Sequence, residues 1–307
     1  MSLPRADRTT LRPLVLAALA VCLVTAVVAM IACGDAEGGD PRPSGSGDSP
    51  FVRLGAGERS VIWAVGDGGD GSDDAKAVAA RIARGPVDRL LYLGDVYDSG
   101  SAADFRRNYE TTYGRLARVT TPVVGNHDAR NRATGYDPYW RRVHGKRPPD
   151  WYSFRAAGWK LLALDSEVAH DVGSAQYKWL RRQVRGRGTC RLAFWHRARY
   201  SAGENHGDQE DMAPLWSALR GRAAIVVSAH EHGMQRFKPI DGITEFVSGA
   251  GGKSLYRLND DDRLAFGDDR RRGALRLRLR RGAAHYAFIA ADGRRLDSGT
   301  VRCRPSR

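Results

Sequence analysis

From residue 60 onward the sequence predicts an α/β (or α+β) fold, on three observations. Short β-rich apolar runs alternate with longer amphipathic segments, which is the pattern of strands interleaved with helices around a sheet. Five of the apolar runs end in a residue able to bind a metal ion. The C-terminal tail then switches to strict alternation, with Leu275, Leu277 and Leu279 set between Arg276, Arg278 and Arg280.

In chain order, strands are expected at VIWAV (61–65), LLYL (90–93), PVV (122–124), WYSF (151–154), KLLAL (160–164), LAFW (192–195), AIVVS (224–228) and ITEFV (243–247). Each is short and rich in residues that suit a pleated surface. Helices are expected at 73–84, 102–116, 174–184 and 212–221, where apolar residues recur three or four apart. The alternating tail, followed by AHYAFIAADGRRL with a turn signal at Asp292-Gly293, reads as an antiparallel, half-exposed hairpin.

The N-terminus has a different character. Arg5, Arg8 and Arg12 precede an uncharged, mostly apolar run from Leu14 to Ala32, an export signal or an anchor. The run closes on Ala32-Cys33, which resembles a bacterial lipoprotein processing site with Cys33 as the lipidated residue. An uncleaved transmembrane helix is the alternative, since the run is long enough to span. Residues 34–55, rich in Gly, Ser, Pro and Asp, read as a flexible tether. The expected organisation is therefore a signal or anchor over 1–33, a linker over 34–55 and one domain over 56–307. The domain would face outward from the bacterial cytoplasmic membrane, and Cys190 and Cys303 would form a disulfide in that oxidising compartment.

Composition narrows the partners. The net charge of +14 would suit an anionic partner, but only six of the 49 basic residues are lysine, and the arginines are scattered through an Ala/Gly/Arg-rich chain. That argues against a nucleic-acid site; docking of the Arg-rich surface to anionic envelope polymers is a weaker alternative, and a monomer is expected.

Chemistry is carried by the strand ends. VIWAV runs into Gly66-Asp67, LLYL into Gly94-Asp95, PVV into Gly125-Asn126-His127-Asp128, LAFW into His196, and AIVVS into Ala229-His230-Glu231-His232. In α/β sheets the functional crevice lies beyond the carboxyl ends of strands, so five such ends converge. Carboxylate, amide and imidazole donors suit Fe, Zn or Mn. In His230-Glu231-His232 the two imidazoles share a side and Glu231 points elsewhere.

These ordered blocks resemble the calcineurin-like metallophosphoesterases, and within them the purple acid phosphatase-like branch, with its pattern GDxG, GDxxY, GNH(D/E), a lone His and GHxH. The resemblance implies a four-layer fold of two mixed sheets flanked by helices. It implies two metal ions, with Asp67 and His232 on the first, Asn126, His196 and His230 on the second, and Asp95 bridging. The first ion's fourth ligand is left between Tyr97 and Asp98, because the branch's Tyr would fall at Asp98 and Tyr97 comes one residue early. A Tyr-ligated ferric ion would colour the protein. His127 is similar to the family's histidine that contacts phosphate or protonates the leaving oxygen, with Asp128 orienting it. The implied nucleophile is a metal-bound hydroxide attacking a phosphoric ester. A catalytically weak phosphate-binding protein is the alternative.

Among other residues, His206 in its polar loop is a candidate substrate contact. Gly249, Gly251 and Gly252 could let backbone approach a phosphate or could form a tight turn. Tyr136, Tyr139 and Trp140 could wall the pocket or pack. Asp165 reads as a loop cap, and His144, His170 and His285 as surface or packing residues.

Overall fold

A computed structural model of the chain describes Val52 and residues 57–305. The expectations placed on Cys33, on the apolar run and on most of the 34–55 linker lie outside the described residues. Among the described residues no helix is long and apolar enough to cross a membrane.

Among the described residues thirteen strands build two mixed sheets. The first holds β1 (Arg59–Val65), β2 (Arg89–Tyr92), β3 (Thr120–Pro122), β11 (Gly273–Arg280), β12 (Ala283–Ala290) and β13 (Arg295–Arg302), in the order β13-β12-β11-β1-β2-β3. The second holds β4 (Tyr152–Ala156), β5 (Trp159–Ala163), β6 (Arg191–Arg197), β7 (Ile225–Ala229), β8 (Met234–Phe237), β9 (Thr244–Ser248) and β10 (Leu264–Asp268), in the order β10-β8-β9-β7-β6-β5-β4. The parallel runs are β1-β2-β3 in one sheet and β5-β6-β7-β9 in the other.

Alternation sorts each strand's side chains into layers. Ile62, Ala64, Leu91, Phe194, Val227, Leu275 and Leu277 meet between the sheets. Trp63, Val65, Leu90 and Tyr92 face the other way, under helices. On that side lies α1 (Asp73–Ala83), capped where the Ser72 side chain accepts from Ala75 N at 3.1 Å, and buried through Ala75, Val78, Ala79 and Ile82. On the far side α6 (Ala175–Gln183) and α7 (Ala213–Leu219) bury Trp179, Leu180, Leu215 and Trp216 against Leu162, Trp195 and Val226. Helix, sheet, sheet and helix make four layers.

Four departures from expectation follow from packing. The five ligand-bearing strands are divided between two sheets, because both faces of each sheet are apolar and each sheet needs a second cover. The tail forms three strands rather than one hairpin, and β11 lies antiparallel to β1, Ile62 opposite Leu277. The third strand is Thr120–Pro122, ending before Val123 and Val124, which run on into the site.

The segment expected as one helix over 102–116 is instead α2 (Ala102–Asp104), a π-helical turn (Phe105–Tyr109), α3 (Glu110–Thr112) and a 3₁₀ stretch (Gly114–Val119). Thr111 and Thr112 hydroxyls donate back to the Arg107 and Asn108 carbonyls at 2.6 Å each, which loosens the regular ladder. Two further helices are α4 (Asn126–Ala129) and α5 (Tyr136–His144). Tyr136, Tyr139 and Trp140 of α5 pack in the outer core with Phe105 and Tyr109 rather than walling a pocket.

Cys190 and Cys303 are disulfide-bonded, 113 residues apart. The bond ties the start of β6 in one sheet to the chain leaving β13 in the other, and Thr189 N donates to Arg304 O at 2.7 Å beside it.

Candidate active site

Three strand exits from the first sheet and two from the second meet at one end of the sandwich. Asp67 follows β1, Asp95 follows β2, Asn126 opens α4, His196 lies within β6, and His230 and His232 follow β7. Turning these exits sharply uses left-handed backbone at Asp67 (φ 57°), Asp95 (φ 68°) and His230 (φ 70°), a region L-residues enter at a cost of about 1–3 kcal/mol. Close packing holds the turns. A Cβ on Gly66 would stand 2.5 Å from Ala229 Cβ, so the methyl where the resemblance expects glycine fills the space that Gly66 leaves. A Cβ on Gly249 would meet Glu231 O at 2.3 Å, and one on Gly251 would meet Gly66 O at 2.3 Å. These glycines serve backbone-to-backbone packing rather than a phosphate cradle.

The side chains form two groups, and buried Asp95 stands with the second of them. In the first, Tyr97 Oη lies 3.0 Å from Asp67 Oδ1 and 3.0 Å from His232 Nε2, and His232 Nε2 lies 3.6 Å from Asp67 Oδ1. In the second, His196 Nε2 lies 2.9 Å from Asn126 Oδ1, 3.0 Å from His230 Nδ1 and 3.5 Å from Asp95 Oδ2. The ligand atoms of Asp95, His196 and His230 fall within 4.8 Å of one another. Donors bound about 2.1 Å from one ion stand roughly 2.9–3.5 Å apart in octahedral or tetrahedral geometry, so both groups have the spacing of a coordination sphere.

Proton placement supports the same reading. His196 Nδ1 donates to Leu93 O at 2.8 Å and His232 Nδ1 to Ser254 O at 2.7 Å, so the inner Nε2 of each carries a lone pair. Those lone pairs face the oxygens of Asn126 and Asp67, an arrangement that a cation between them satisfies. Burial, reinforced by Asp95, raises Asp67 well above the usual carboxylate range. Burial lowers His232 to about 4 and drives His230 far down, with His196 adding to the effect on His230. These imidazoles are neutral, as metal binding requires. The residues present therefore fit metal ions: Asp95, Asn126, His196 and His230 could hold one, and Asp67, Tyr97 and His232, with Asp95, could hold another.

Tyr97, not Asp98, fills the open place in the first group. Its carbonyl accepts from Asn108 Nδ2 at 2.5 Å, out of the π-helical turn, and such turns recur at functional sites. Asp98 is corrected: its carboxylate is 86% exposed and pairs with Lys253 Nζ at 3.0 Å, outside the cluster.

His127 Nδ1 donates to the Asp98 carbonyl at 2.5 Å, which leaves Nε2 toward the centre, 3.9 Å from Asp95 Oδ2. Asp128 is the second correction. Its buried carboxylate accepts from the backbone N–H groups of Asp95 (2.8 Å), Val96 (3.0 Å) and Gly125 (3.0 Å), and so clamps two strand exits together instead of orienting His127. The cause is a competition for acceptors: three otherwise unpaired backbone donors claim the carboxylate, and a nearby carbonyl serves the imidazole.

His206 reaches the site. Its ring stacks on His230 with centroids 3.9 Å apart, and its backbone N–H donates to Glu231 Oε2 at 3.0 Å, so the buried Glu231 that points away from the metal ligands fastens the loop instead.

Arg197, Glu167, Lys253 and Tyr256 were not singled out by sequence. Glu167 accepts from Arg197 Nε at 2.8 Å and Nη2 at 3.1 Å, which fixes the guanidinium and leaves Nη1 3.5 Å from His230 Nε2. Strict alternation would send Arg197 away from the side of His196. Pairing between β6 and β7 slips between Phe194 and Arg197, however, and a bulge of this kind re-aims side chains. Lys253 Nζ sits 4.4 Å over the Tyr97 ring, and Tyr256 stacks on His232 at 4.0 Å. Asp165 caps its loop by accepting from Glu167 N at 2.8 Å.

The sequence model of the calcineurin-like phosphoesterases matches residues 60–234. Purple acid phosphatase 21 of Arabidopsis thaliana is 27% identical over 223 residues, covering 65% of this chain and 50% of that protein. The chain spans about half the length of the curated relatives it matches. Among solved structures, a purple acid phosphatase from yellow lupin (Lupinus luteus) seeds superposes with a TM-score of 0.62 at 17% identity, over 80% of this chain and 54% of that one. GAP50, described as the anchor in the inner membrane complex of Plasmodium, superposes with a TM-score of 0.64 at 14% identity, over 81% and 90%. The structural likenesses concern the fold.

Proposed function

This chain belongs to the calcineurin-like phosphoesterase family, and we propose that it is a purple acid phosphatase-like hydrolase of phosphoric esters, exported and held at the outer face of the bacterial cytoplasmic membrane. The observation that carries the catalytic reading is the pair of donor groups, one of Asp67, Tyr97 and His232 and one of Asp95, Asn126, His196 and His230, each with the spacing and proton arrangement of a metal-binding sphere.

Two ions of the Fe, Zn or Mn type, when bound there, would supply Lewis acidity to the phosphoryl oxygens and activation of water. The chain's own residues do the rest. Asp95, 3.5 Å from His196 Nε2, would be shared by the two groups and so set their separation. His127 has its Nδ1 proton engaged by the Asp98 carbonyl, so in the imidazolium form, with a second proton on Nε2, it is placed to hand that proton to the departing ester oxygen and be left neutral. Arg197 Nη1 and the His206 ring border the second group, where a phosphate oxygen would be bound. The position of Tyr97 beside Asp67 and His232 supports the enzyme reading over a catalytically weak phosphate-binding protein.

For location, the support is the basic and apolar N-terminus ending on Cys33 and the Cys190–Cys303 bond, which persists in oxidising compartments. The test is metal analysis together with hydrolysis of aryl phosphate mono- and diesters. Two ions per chain with turnover are expected; one ion without turnover overturns the enzyme reading. Fractionation of cells with labelling of Cys33 checks the anchor.

A further inference from the structure

The loop that follows β6 carries His206 near its tip, and its backbone is held from beneath. Surface loops are commonly mobile. Here every backbone N–H from residue 199 to residue 204 has an acceptor. Glu245 on β9 accepts from Arg199 N (3.1 Å) and Tyr200 N (3.0 Å), and Asp208 accepts from Ser201 N (2.9 Å). Gln235 on β8 accepts from Ala202 N (2.8 Å), Ser201 Oγ from Gly203 N (3.0 Å) and the Arg257 carbonyl from Glu204 N (2.9 Å). Those bonds fix the stem of the loop.

Glu231 acts at the tip. Its Oε2 accepts from His206 N at 3.0 Å, and the N–H groups of Asn205 and Gly207 point to the same carboxylate. The side chain is buried, a costly place for a carboxylate unless donors face it. Gly203 makes the approach possible, since a Cβ there would lie 1.8 Å from Glu231 Cδ. Loop and carboxylate therefore fit one another in a single arrangement.

The tip is joined to a second segment as well. Gly203 bridges Leu258, Asn259 N donates to Ala202 O at 2.8 Å, and the Asn205 side chain hydrogen-bonds the Tyr256 hydroxyl. The two segments make a short ribbon against the metal-binding groups. The His206 ring lies on His230 with centroids 3.9 Å apart and planes 20° apart, and the Tyr256 ring lies on His232 at 4.0 Å and 13°. The ribbon is thus registered against one imidazole of each donor group, and Glu231 is the residue between those two imidazoles in sequence. The stem bonds suffice to keep the loop folded; the bond at the tip sets one thing more, the height and tilt of the His206 ring.

We propose that Glu231 is a positioning residue for the substrate: through the His206 backbone N–H it holds that imidazole where it meets a phosphate oxygen bound at the second donor group. The proposal rests on the reading of His206 as a phosphate contact and adds what sets its geometry. A contact ordered in advance binds without the cost of ordering a mobile loop, and misplacement of such a group by about 1 Å is enough to lose much of its effect.

The test combines two measurements on the full chain: binding of inorganic phosphate to the metal-loaded protein by calorimetry, and amide hydrogen exchange over 203–207 in the metal-free protein. Glu231→Ala should speed that exchange and weaken phosphate binding, each by about tenfold, with metal content unchanged. Glu231→Gln keeps an acceptor oxygen and should recover most of both. In a His206→Ala background, Glu231→Ala should weaken phosphate binding no further, because the carboxylate acts through the imidazole; a clamp serving only the fold would give independent, additive losses. Should Glu231→Ala shed metal or fail to fold, Gly203→Ala serves, since its methyl displaces the tip and leaves the residue between the two imidazoles unchanged. Faster exchange with unchanged phosphate affinity overturns the proposal, and so does an undiminished loss in the His206→Ala background. Wild-type affinity in His206→Ala alone would overturn the reading of His206 as a phosphate contact, and this proposal with it. A weakened His206→Ala beside an unaffected Glu231→Ala would remove the proposal and leave that reading standing.

Discussion

The Tyr97 hydroxyl stands 3.0 Å from His232 Nε2, joining a residue that follows β2 of one sheet to a residue that follows β7 of the other. The contact completes the first donor group, since the same hydroxyl lies 3.0 Å from Asp67 Oδ1. Burial and the neighbouring Asp67 and Asp95 carboxylates hold the phenol well above its usual pKa, so its deprotonated form needs a cation close by.

Tyr97→Phe should therefore lose the ion of the first group and keep that of the second. Loading with iron should colour the wild-type protein and leave the variant colourless. Metal analysis and visible absorption check both. A wild-type protein that binds ferric ion and stays colourless would remove Tyr97 from the ligand set.

His127→Ala should retain two ions and lose roughly 10²- to 10⁴-fold in kcat, the range for a positioned general acid. The loss should shrink for ester leaving groups that depart without a proton. Loss of metal in this variant would show that His127 is a ligand.

Arg197→Gln should weaken inhibition by inorganic phosphate and raise KM for an aryl phosphate monoester by roughly 10- to 100-fold, the worth of a hydrogen bond to a charged group. Metal content should not change. Glu167→Gln should shift the same constants less, because it only loosens the guanidinium.

Replacing Cys190 and Cys303 by serine should lower unfolding stability by about 2–5 kcal/mol, read from denaturant midpoints. The closed loop is long, with 113 residues of separation, and the bond joins strands of different sheets.

A pH effect is expected from Glu245, which is fully buried and accepts from Arg199 N (3.1 Å), Tyr200 N (3.0 Å) and Ser228 Oγ (3.1 Å). Burial raises its pKa from 4.5 to about 8. The folded state then binds a proton that the unfolded state releases, so this contribution to stability is full below about pH 4.5 and is lost as pH rises toward 8. The thermal midpoint should fall across that window. In Glu245→Gln the midpoint should start lower, through a mismatched hydrogen bond, and vary less with pH.

The sequence by itself determined the strands and the residues at their ends. Apolar alternation and length mark a strand through its own side chains, and Asp67, Asp95, Asn126, His196, His230 and His232 each follow or close such a run. It also determined the Cys190–Cys303 pairing, given two cysteines left in an oxidising setting. Tertiary structure decided the matters that depend on contacts between distant segments. The division of five ligand strands between two sheets rests on which apolar faces meet, and periodicity alone does not say that. Tyr97 rather than Asp98 enters the site because Asn108, Asp67 and His232 converge on it from three other segments. Asp128 serves backbone donors at two strand exits instead of His127, and Arg197 turns inward only because β6 bulges against β7. Local pattern records what a residue does to its own strand; the partner of a polar side chain is fixed by competition among donors and acceptors that only folding brings within about 3 Å.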